Sequence, residues 1–129
     1  NQAVIVSIDV KRGVFGGTTV RTLGSKKNTR RDPIQWAVES ERRGAGEILL
    51  TSIDREGTWQ GLDLELISGV ASAVSIPVIA HGGAGTLADI GYAVKQGGAS
   101  AVALGSMVVF QKKDMGVLVN FPEHEKLKV

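Results

Sequence analysis

Several residue types and patterns are scarce in this sequence. The 129 residues include no cysteine, which excludes a disulfide framework and thiolate metal or redox sites. Aromatic residues make up only 5%, too few to interleave with bases, which argues against nucleic acid as a partner. No apolar run approaches the roughly 20 residues of a membrane helix, and no signal peptide is expected. We therefore expect a cytoplasmic protein with no membrane association.

Positive charge is concentrated in the first third of the chain, although the net charge is only +2. Such a cluster is either a solvated face or a site for an anionic ligand. Because stacking aromatic residues are scarce, a phosphorylated small molecule is favoured over nucleic acid. The cluster contains nine of the 15 basic residues: Lys11, Arg12, Arg21, Lys26, Lys27, Arg30, Arg31, Arg42 and Arg43.

Apolar strands alternate with amphipathic helices along the chain. Strands are expected at 3–9, 47–52, 76–80 and 99–104, and helices at 32–43, 63–74, 86–96 and 123–127. Asp32, followed by Pro33, and Thr86 are expected to cap their helices. A small hairpin around Gly16-Gly17 is expected within the long connection 10–31. Repeated βα units predict an α/β fold with parallel strands and right-handed crossovers. Residues 1–129 are expected to form a single domain with a tail at 107–129.

The strongest local signal for chemistry is the glycine-rich turn Gly82-Gly83-Ala84-Gly85 between a strand and a helix. Its backbone N–H groups and the helix N-terminus are suited to an anion. Gly105-Ser106 ends the neighbouring strand, and phosphate sites of (β/α)8 barrels form after the seventh and eighth strands. The alternative is a tight turn with no ligand.

Acidic residues follow the first and second strands. Asp9 ends a buried strand, and is either a general acid/base or a structural ion-pair partner of Lys11. Asp54 and Glu56 are a second acidic pair, or part of a solvated loop that caps the next helix. His81 has neither a cysteine nor a second histidine nearby, so we expect no metal and no cofactor.

Ordered segments of the chain together resemble the HisF family, the cyclase subunit of imidazole glycerol phosphate synthase. The resemblance covers the C-terminal half of that family's barrel, and so implies a (β/α)4 half of a TIM (β/α)8 barrel. The resembling segments are Ser7-Ile8-Asp9-Val10-Lys11-Arg12, Gly24-Ser25-Lys26-Lys27-Asn28-Thr29, 44–58 and His81-Gly82-Gly83-Ala84-Gly85.

The resemblance implies a reaction. Ammonia from a HisH-like glutaminase partner reacts with a phosphorylated ribulosyl aminoimidazole carboxamide nucleotide to give imidazole glycerol phosphate in histidine biosynthesis. Two aspartates act as acid and base in the family, and Asp9 matches the second. The substrate and phosphate contacts implied for this chain are Lys11, Asp54, Glu56, Gly57, Thr58, His81, Gly82, Gly83, Gly105 and Ser106.

The chain departs from the family pattern at two positions: Glu56 stands where an aspartate is usual, and His81 stands where a serine is usual. The end of the chain points to an alternative acceptor. Its segments 107–110 and 117–122 resemble a HisF-like branch that forms acetamidino sugars for surface polysaccharides. An isolated phosphate-binding half barrel without turnover is a third hypothesis.

Only one of the two catalytic aspartates is present, so we expect the chain alone to be weak or inactive. Four parallel strands cannot close a barrel. We therefore expect a homodimer, an open sheet covered by the basic segment, or a longer natural chain that supplies the N-terminal half.

Overall fold

The computed structural model describes residues 4–13, 17–22 and 27–104, which form one mixed sheet with helices on one face. The strand order is β3-β2-β1-β4-β5-β6. The elements in chain order are β1 (Ile5–Arg12), β2 (Thr18–Thr22), β3 (Lys27–Asn28), α1 (Pro33–Arg42), β4 (Glu47–Ser52), α2 (Leu64–Ala73), β5 (Val78–His81), α3 (Leu87–Lys95) and β6 (Ala101–Ala103).

Four parallel strands, β1, β4, β5 and β6, form the part of the sheet that carries the βα units. Because sequential strands are neighbours and their crossovers are right-handed, α1, α2 and α3 lie on one face. On that face alternate strand residues are buried, among them Ile8, Ile48 and Leu50. Side chains of the helices complete this core, including Ala37 and Val70, both 0% exposed.

Each helix begins where the sequence places an N-cap. Asp32 precedes Pro33 and accepts the N–H of Gln35, as an acidic cap before proline predicts. Thr86 and Asp89 form a reciprocal capping box at the start of α3. The predicted α/β fold, the half-barrel arrangement of βα units and the three helices within the described residues are confirmed.

The structure corrects the end of the first strand. β1 was expected to end at Asp9, but it continues to Arg12 because β2 pairs antiparallel with residues 9–12. The expected hairpin therefore forms between this extension and Thr18–Thr22, and the purely parallel sheet gains two antiparallel strands. Three expected features lie outside the described residues. They are the hairpin residues Val14 and Phe15, the helix at 123–127 and the tail 107–129.

The inner face of the sheet, opposite the helices, has little cover. Ile5, which projects from this face, is 58% exposed. Among the described strands, none pairs with the second edge of β1 at Ile5–Ile8, because β2 covers only the edge from Asp9 onward. The basic segment thus covers part of one edge of the half barrel and leaves the rest open.

In the described ranges, no helix has both the length and the hydropathy that crossing a bilayer requires.

The capping box at the start of α3 yields a stability prediction. Thr86→Ala removes the hydroxyl that accepts the Asp89 N–H at 3.2 Å. We expect a loss of about 1 kcal/mol in the free energy of unfolding, measured by urea denaturation at one protein concentration. Ser72→Ala on the exposed part of α2 is the control, with a change within about 0.5 kcal/mol. Equal losses in the two variants would contradict the capping role.

Candidate active site

A row of side chains crosses the inner face near the C-terminal ends of the parallel strands. Backbone pairing places Arg21 beside Asp9, Asp9 beside Thr51, Thr51 beside His81 and His81 beside Ala103. Neighbouring strands are about 4.8 Å apart, so adjacent members of the row are within reach of one ligand. The sheet therefore brings Asp9 and His81 to one surface, although 72 positions of numbering separate them in the chain.

Asp9 is half-buried on this face. Lys11 projects from the same face and pairs in register with Thr19. In the described part of the chain, Asp9 forms no ion pair with Lys11 or with another residue. A structural ion pair therefore does not account for Asp9 in this arrangement.

Thr51 and His81 lie next to each other in the row. Thr51 is buried at 8% exposure, and its Oγ1 is 3.3 Å from the Nδ1 of His81. This hydrogen bond restrains the imidazole ring, and its direction depends on the tautomer of the ring. Thr51 was not among the expected site residues, and the register of β4 against β5 is what brings it there.

The turn after β5 requires glycine. Gly82 has φ 102° and Gly83 has φ 109°, conformations that favour glycine. A Cβ on Gly83 would overlap the carbonyl oxygen of Gly61, and one on Gly82 would lie 2.5 Å from the carbonyl oxygen of Ser52. The N–H of Gly61 donates to the Gly83 carbonyl at 2.8 Å. These contacts pack the turn directly against the loop between β4 and α2.

The backbone donors of this turn divide into two groups. The carboxylate of Asp89 accepts the N–H groups of Gly85 and Thr86, at 2.9 and 3.0 Å. Elsewhere in the turn, no described acceptor takes the N–H of Gly83 or Ala84. An anion at this turn would therefore meet the donors of Gly83 and Ala84 rather than those that begin α3.

A cavity of about 160 Å³ lies beside this turn. Five of the expected substrate and phosphate contacts line this cavity. Two others, Gly105 and Ser106, lie outside the described residues. Its described lining is Glu56, Gly57, His81, Gly82, Gly83, Ala84 and Ala103.

Asp54 and Thr58 contribute instead to a second cavity of about 400 Å³. Asp54 Oδ2 accepts the backbone N–H of Arg12 at 2.6 Å, and Thr58 Oγ1 donates to the carbonyl of Arg55 at 2.7 Å. Both side chains thus hold the loop after β4. Neither side chain lines the glycine cavity, and both line the second one.

Arg12 links β1 to α2 through an ion pair that the sequence did not indicate. Its Nη2 donates to Asp63 Oδ2 at 2.9 Å, and Asp63 is 6% exposed and caps α2 by accepting the N–H of Leu66. The hydrogen bond and charge of Asp63 raise the pKa of Arg12. The ion pair restrains the loop that carries Glu56 and Gly57, since that loop runs between β4 and α2. The only sequence signal was the N-cap position of Asp63.

Trp36 is partly buried and packs against the core. The guanidinium of Arg31 stacks over its ring at 5.5 Å from the centroid. Within the described residues, no group of three or more histidine, cysteine, aspartate or glutamate side chains is arranged to hold a metal ion.

The sequence profile of the histidine biosynthesis protein family matches residues 1–114. The chain belongs to this family. Membership agrees with the βα units of the fold. It also agrees with the resemblance to HisF, from which the expected site residues were inferred.

Curated relatives in the family extend beyond this chain. Two Prochlorococcus marinus proteins named imidazole glycerol phosphate synthase subunit HisF are each 44% identical over 131 residues, covering 100% of this chain and 51% of the relative. A Pseudomonas aeruginosa relative that bears the subunit name hisF2 is 43% identical over 129 residues, again 100% of this chain and 51% of the relative. The chain spans about half the length of the curated relatives it matches.

The two glycines that border the cavity provide a matched test. Gly83→Ala places a Cβ against the Gly61 carbonyl and should cost about 3 kcal/mol or more in the free energy of unfolding. Gly57→Ala meets no atom within 4 Å and should cost only about 1–2 kcal/mol, for its φ of 77°. Urea denaturation measures both. Equal costs would show that the loops are not in contact as described.

Proposed function

We propose that the chain is the C-terminal half barrel of a HisF-like cyclase that uses ammonia on a phosphorylated nucleotide. The proposal depends on one observation: Asp9 and the His81-Gly82-Gly83 turn lie on the same face of the sheet, near the C-terminal ends of β1 and β5, with only β4 between them. This places a carboxylate near a turn that is suited to binding an anion. The names of two curated relatives, imidazole glycerol phosphate synthase subunit HisF, support imidazole glycerol phosphate as the product. The resemblance to the HisF family implies the rest of the reaction, which is closure of an imidazole ring with release of an aminoimidazole carboxamide ribotide.

The phosphate site is assigned to the cavity beside the glycine turn. The N–H groups of Gly83 and Ala84 bind the phosphate oxygens, and Gly57 leaves room for them across the cavity. Glu56 borders the same cavity but is exposed, so water screens its repulsion of an anion. Gly105 and Ser106 complete the site in this proposal, as the resemblance to the family implies.

Asp9 is assigned the transfer of protons during ring closure. Its half-buried carboxylate has no ion pair in the described chain, so it is available to accept a proton from the attacking nitrogen and return it later. The second carboxylate comes from the half barrel that the relatives possess and this chain does not span. Lys11, on the same face, adds positive charge near the substrate.

Two partners follow from this assignment. A HisH-like glutaminase supplies the ammonia, as the resemblance to the HisF family implies. A second half barrel completes the sheet, either from the N-terminal half of a longer chain or from a second copy. The support for it is the open edge of β1 at Ile5–Ile8 and the exposed inner face, since unpaired strand edges invite further strands.

A sugar-modifying enzyme is the second candidate function. His81 carries a ring into the position where the family usually has a small hydroxyl, and its contact with Thr51 holds that ring on the cavity wall. Because the His81 ring is bulkier than a serine side chain, the cavity favours an ammonia acceptor other than the nucleotide. The same ammonia would then convert an acetamido group of a sugar to an acetamidino group.

Turnover by the chain with ammonia and the ribulosyl nucleotide tests the proposal. We expect little activity from the chain alone and measurable activity after addition of the N-terminal half of a HisF relative. In that complex, Asp9→Asn should lower kcat about 10²- to 10⁴-fold, since it removes the acid/base. Asp32→Asn is the matched control because asparagine caps α1 equally well and lies away from the site.

Three outcomes separate the hypotheses. Full activity of Asp9→Asn contradicts the role of Asp9. Phosphate binding without turnover in the complex supports the binding module. Turnover of an acetamido sugar but not of the nucleotide supports the sugar-modifying enzyme.

The oligomeric state tests how the open edge is covered. We expect the chain alone to sediment as a homodimer, with a monomer appearing on dilution, because Ile5 and the inner face need cover. Ile5→Lys should shift the equilibrium toward monomer by introducing a charge at the edge. Tyr92→Lys, at a 50% exposed position of α3, is the control. A monomer at all concentrations would contradict self-association.

A further inference from the structure

His81 meets the cavity beside the glycine turn with one of its two ring nitrogens. Its Nδ1 is 3.3 Å from the Oγ1 of Thr51, a residue with 8% exposure, so the protein itself occupies that nitrogen. The other ring nitrogen, Nε2, has no hydrogen-bond partner among the described residues, although His81 lines the cavity. Nε2 is therefore the ring atom that is left for a ligand.

Nε2 of His81 is also open to solvent. In the described part of the chain, one buried side-chain nitrogen or oxygen lacks a partner, and that atom is the Nε of Arg21. Nε2 lacks a partner as well but is not buried, so water and solutes in the cavity can reach it. A restrained ring with an accessible nitrogen can bind a ligand at little cost in ordering.

The residues around the ring do not compete for Nε2. In register on the neighbouring strands, β4 contributes Thr51 and β6 contributes Ala103, and both are uncharged. Glu56 lines the same cavity from the loop after β4 but is exposed. Arg55 of that loop donates its guanidinium to two backbone carbonyls, and Asp9 lies two strands away, about 10 Å between backbones. An anion in the cavity would therefore meet Nε2 directly.

The protonation state of an imidazole decides what its Nε2 can bind. A neutral ring carries one N–H, and when this is on Nδ1, Nε2 presents a lone pair that repels an anion. A protonated ring has an N–H on both nitrogens, so one donates to the Thr51 hydroxyl and the other into the cavity. The second bond is charge-assisted and about twice as strong as a neutral one. Histidine side chains in general change charge between about pH 5 and pH 8.

We propose that His81 is a proton-dependent donor to the anion in this cavity and that Thr51 is its positioning residue. The N–H groups of Gly83 and Ala84 do not titrate, so they provide the part of the binding that is independent of pH. The protonated ring provides the rest through Nε2–H, and binding of the anion takes up a proton. The ligand class is a tetrahedral oxyanion group. This inference rests on the phosphate site of the proposed function.

Sulfate binding to the 129-residue chain tests the proposal. Sulfate keeps its charge near neutral pH, whereas a phosphate group gains a proton there and would obscure the effect. NMR titration at constant ionic strength follows the amide signals of Gly83 and Ala84. We expect sulfate to bind about tenfold more tightly at about pH 5.5 than at about pH 8, through the added charge-assisted hydrogen bond. Ring nitrogen signals of His81 should shift with sulfate at the lower pH.

Four variants separate the contributions. His81→Gln keeps a neutral donor and should abolish the rise, with the affinity of the original chain at the higher pH retained throughout. Thr51→Val removes the hydroxyl and should reduce the rise, while leaving the affinity at the higher pH unchanged. Thr51→Ser returns the hydroxyl and should restore the rise. His124→Gln replaces the other histidine of the chain and should keep the full rise.

The outcomes distinguish the inference from the proposed function. A rise that persists in His81→Gln, or one that disappears in His124→Gln, overturns the role of His81 and leaves the phosphate site intact. The same holds if the original chain binds sulfate equally at both pH values. An unchanged rise in Thr51→Val overturns the positioning role of Thr51. If sulfate does not shift the amide signals of Gly83 and Ala84 at either pH, the phosphate site itself is overturned.

Discussion

The backbone hydrogen bonds that pair β1 with β4 and β4 with β5 place Asp9, Thr51 and His81 side by side. Because side chains alternate faces along a strand, this one register puts all three on the inner face and their apolar neighbours under the helices. A shift of one residue in either pairing would move a member of this row to the helix side and expose the core residues of the strand that shifted. The hydrophobic residues that hold the register, such as Ile8 and Leu50, are therefore as necessary to the site as the residues that form it.

The second constraint is the close approach of two loops. The turn after β5 passes so near the loop after β4 that no side chain fits at Gly83, and Gly61 donates to its carbonyl. On the far side of the same loop, Arg12 and Asp63 restrain its junction with α2. The proposed anion cavity is thus built from backbone held on both sides, which suits the recognition of phosphate by N–H groups that need no further ordering.

Among the residues that the structure describes, nothing forms a second layer on the inner face. Ile5 is exposed where a closed barrel would bury it, and the chain spans about half the length of its curated relatives. The same face carries the candidate acid/base and the unpaired Arg21. Completion of the sheet would therefore bury apolar residues and enclose the reacting groups in one step, which links assembly to catalysis in the proposed function.

Local signals in the sequence were sufficient for the α/β class, for the caps at Asp32 and Thr86, and for the glycine turn, because each depends on residues close together in the chain. The family resemblance added Asp9 and the half-barrel arrangement. Only the tertiary structure decided that β1 continues past Asp9, that Thr51 and Arg21 flank the site, and that Asp54 lies apart from the glycine cavity. These features depend on pairings between distant segments, whose register is set by packing and hydrogen bonds across the sheet rather than by local composition.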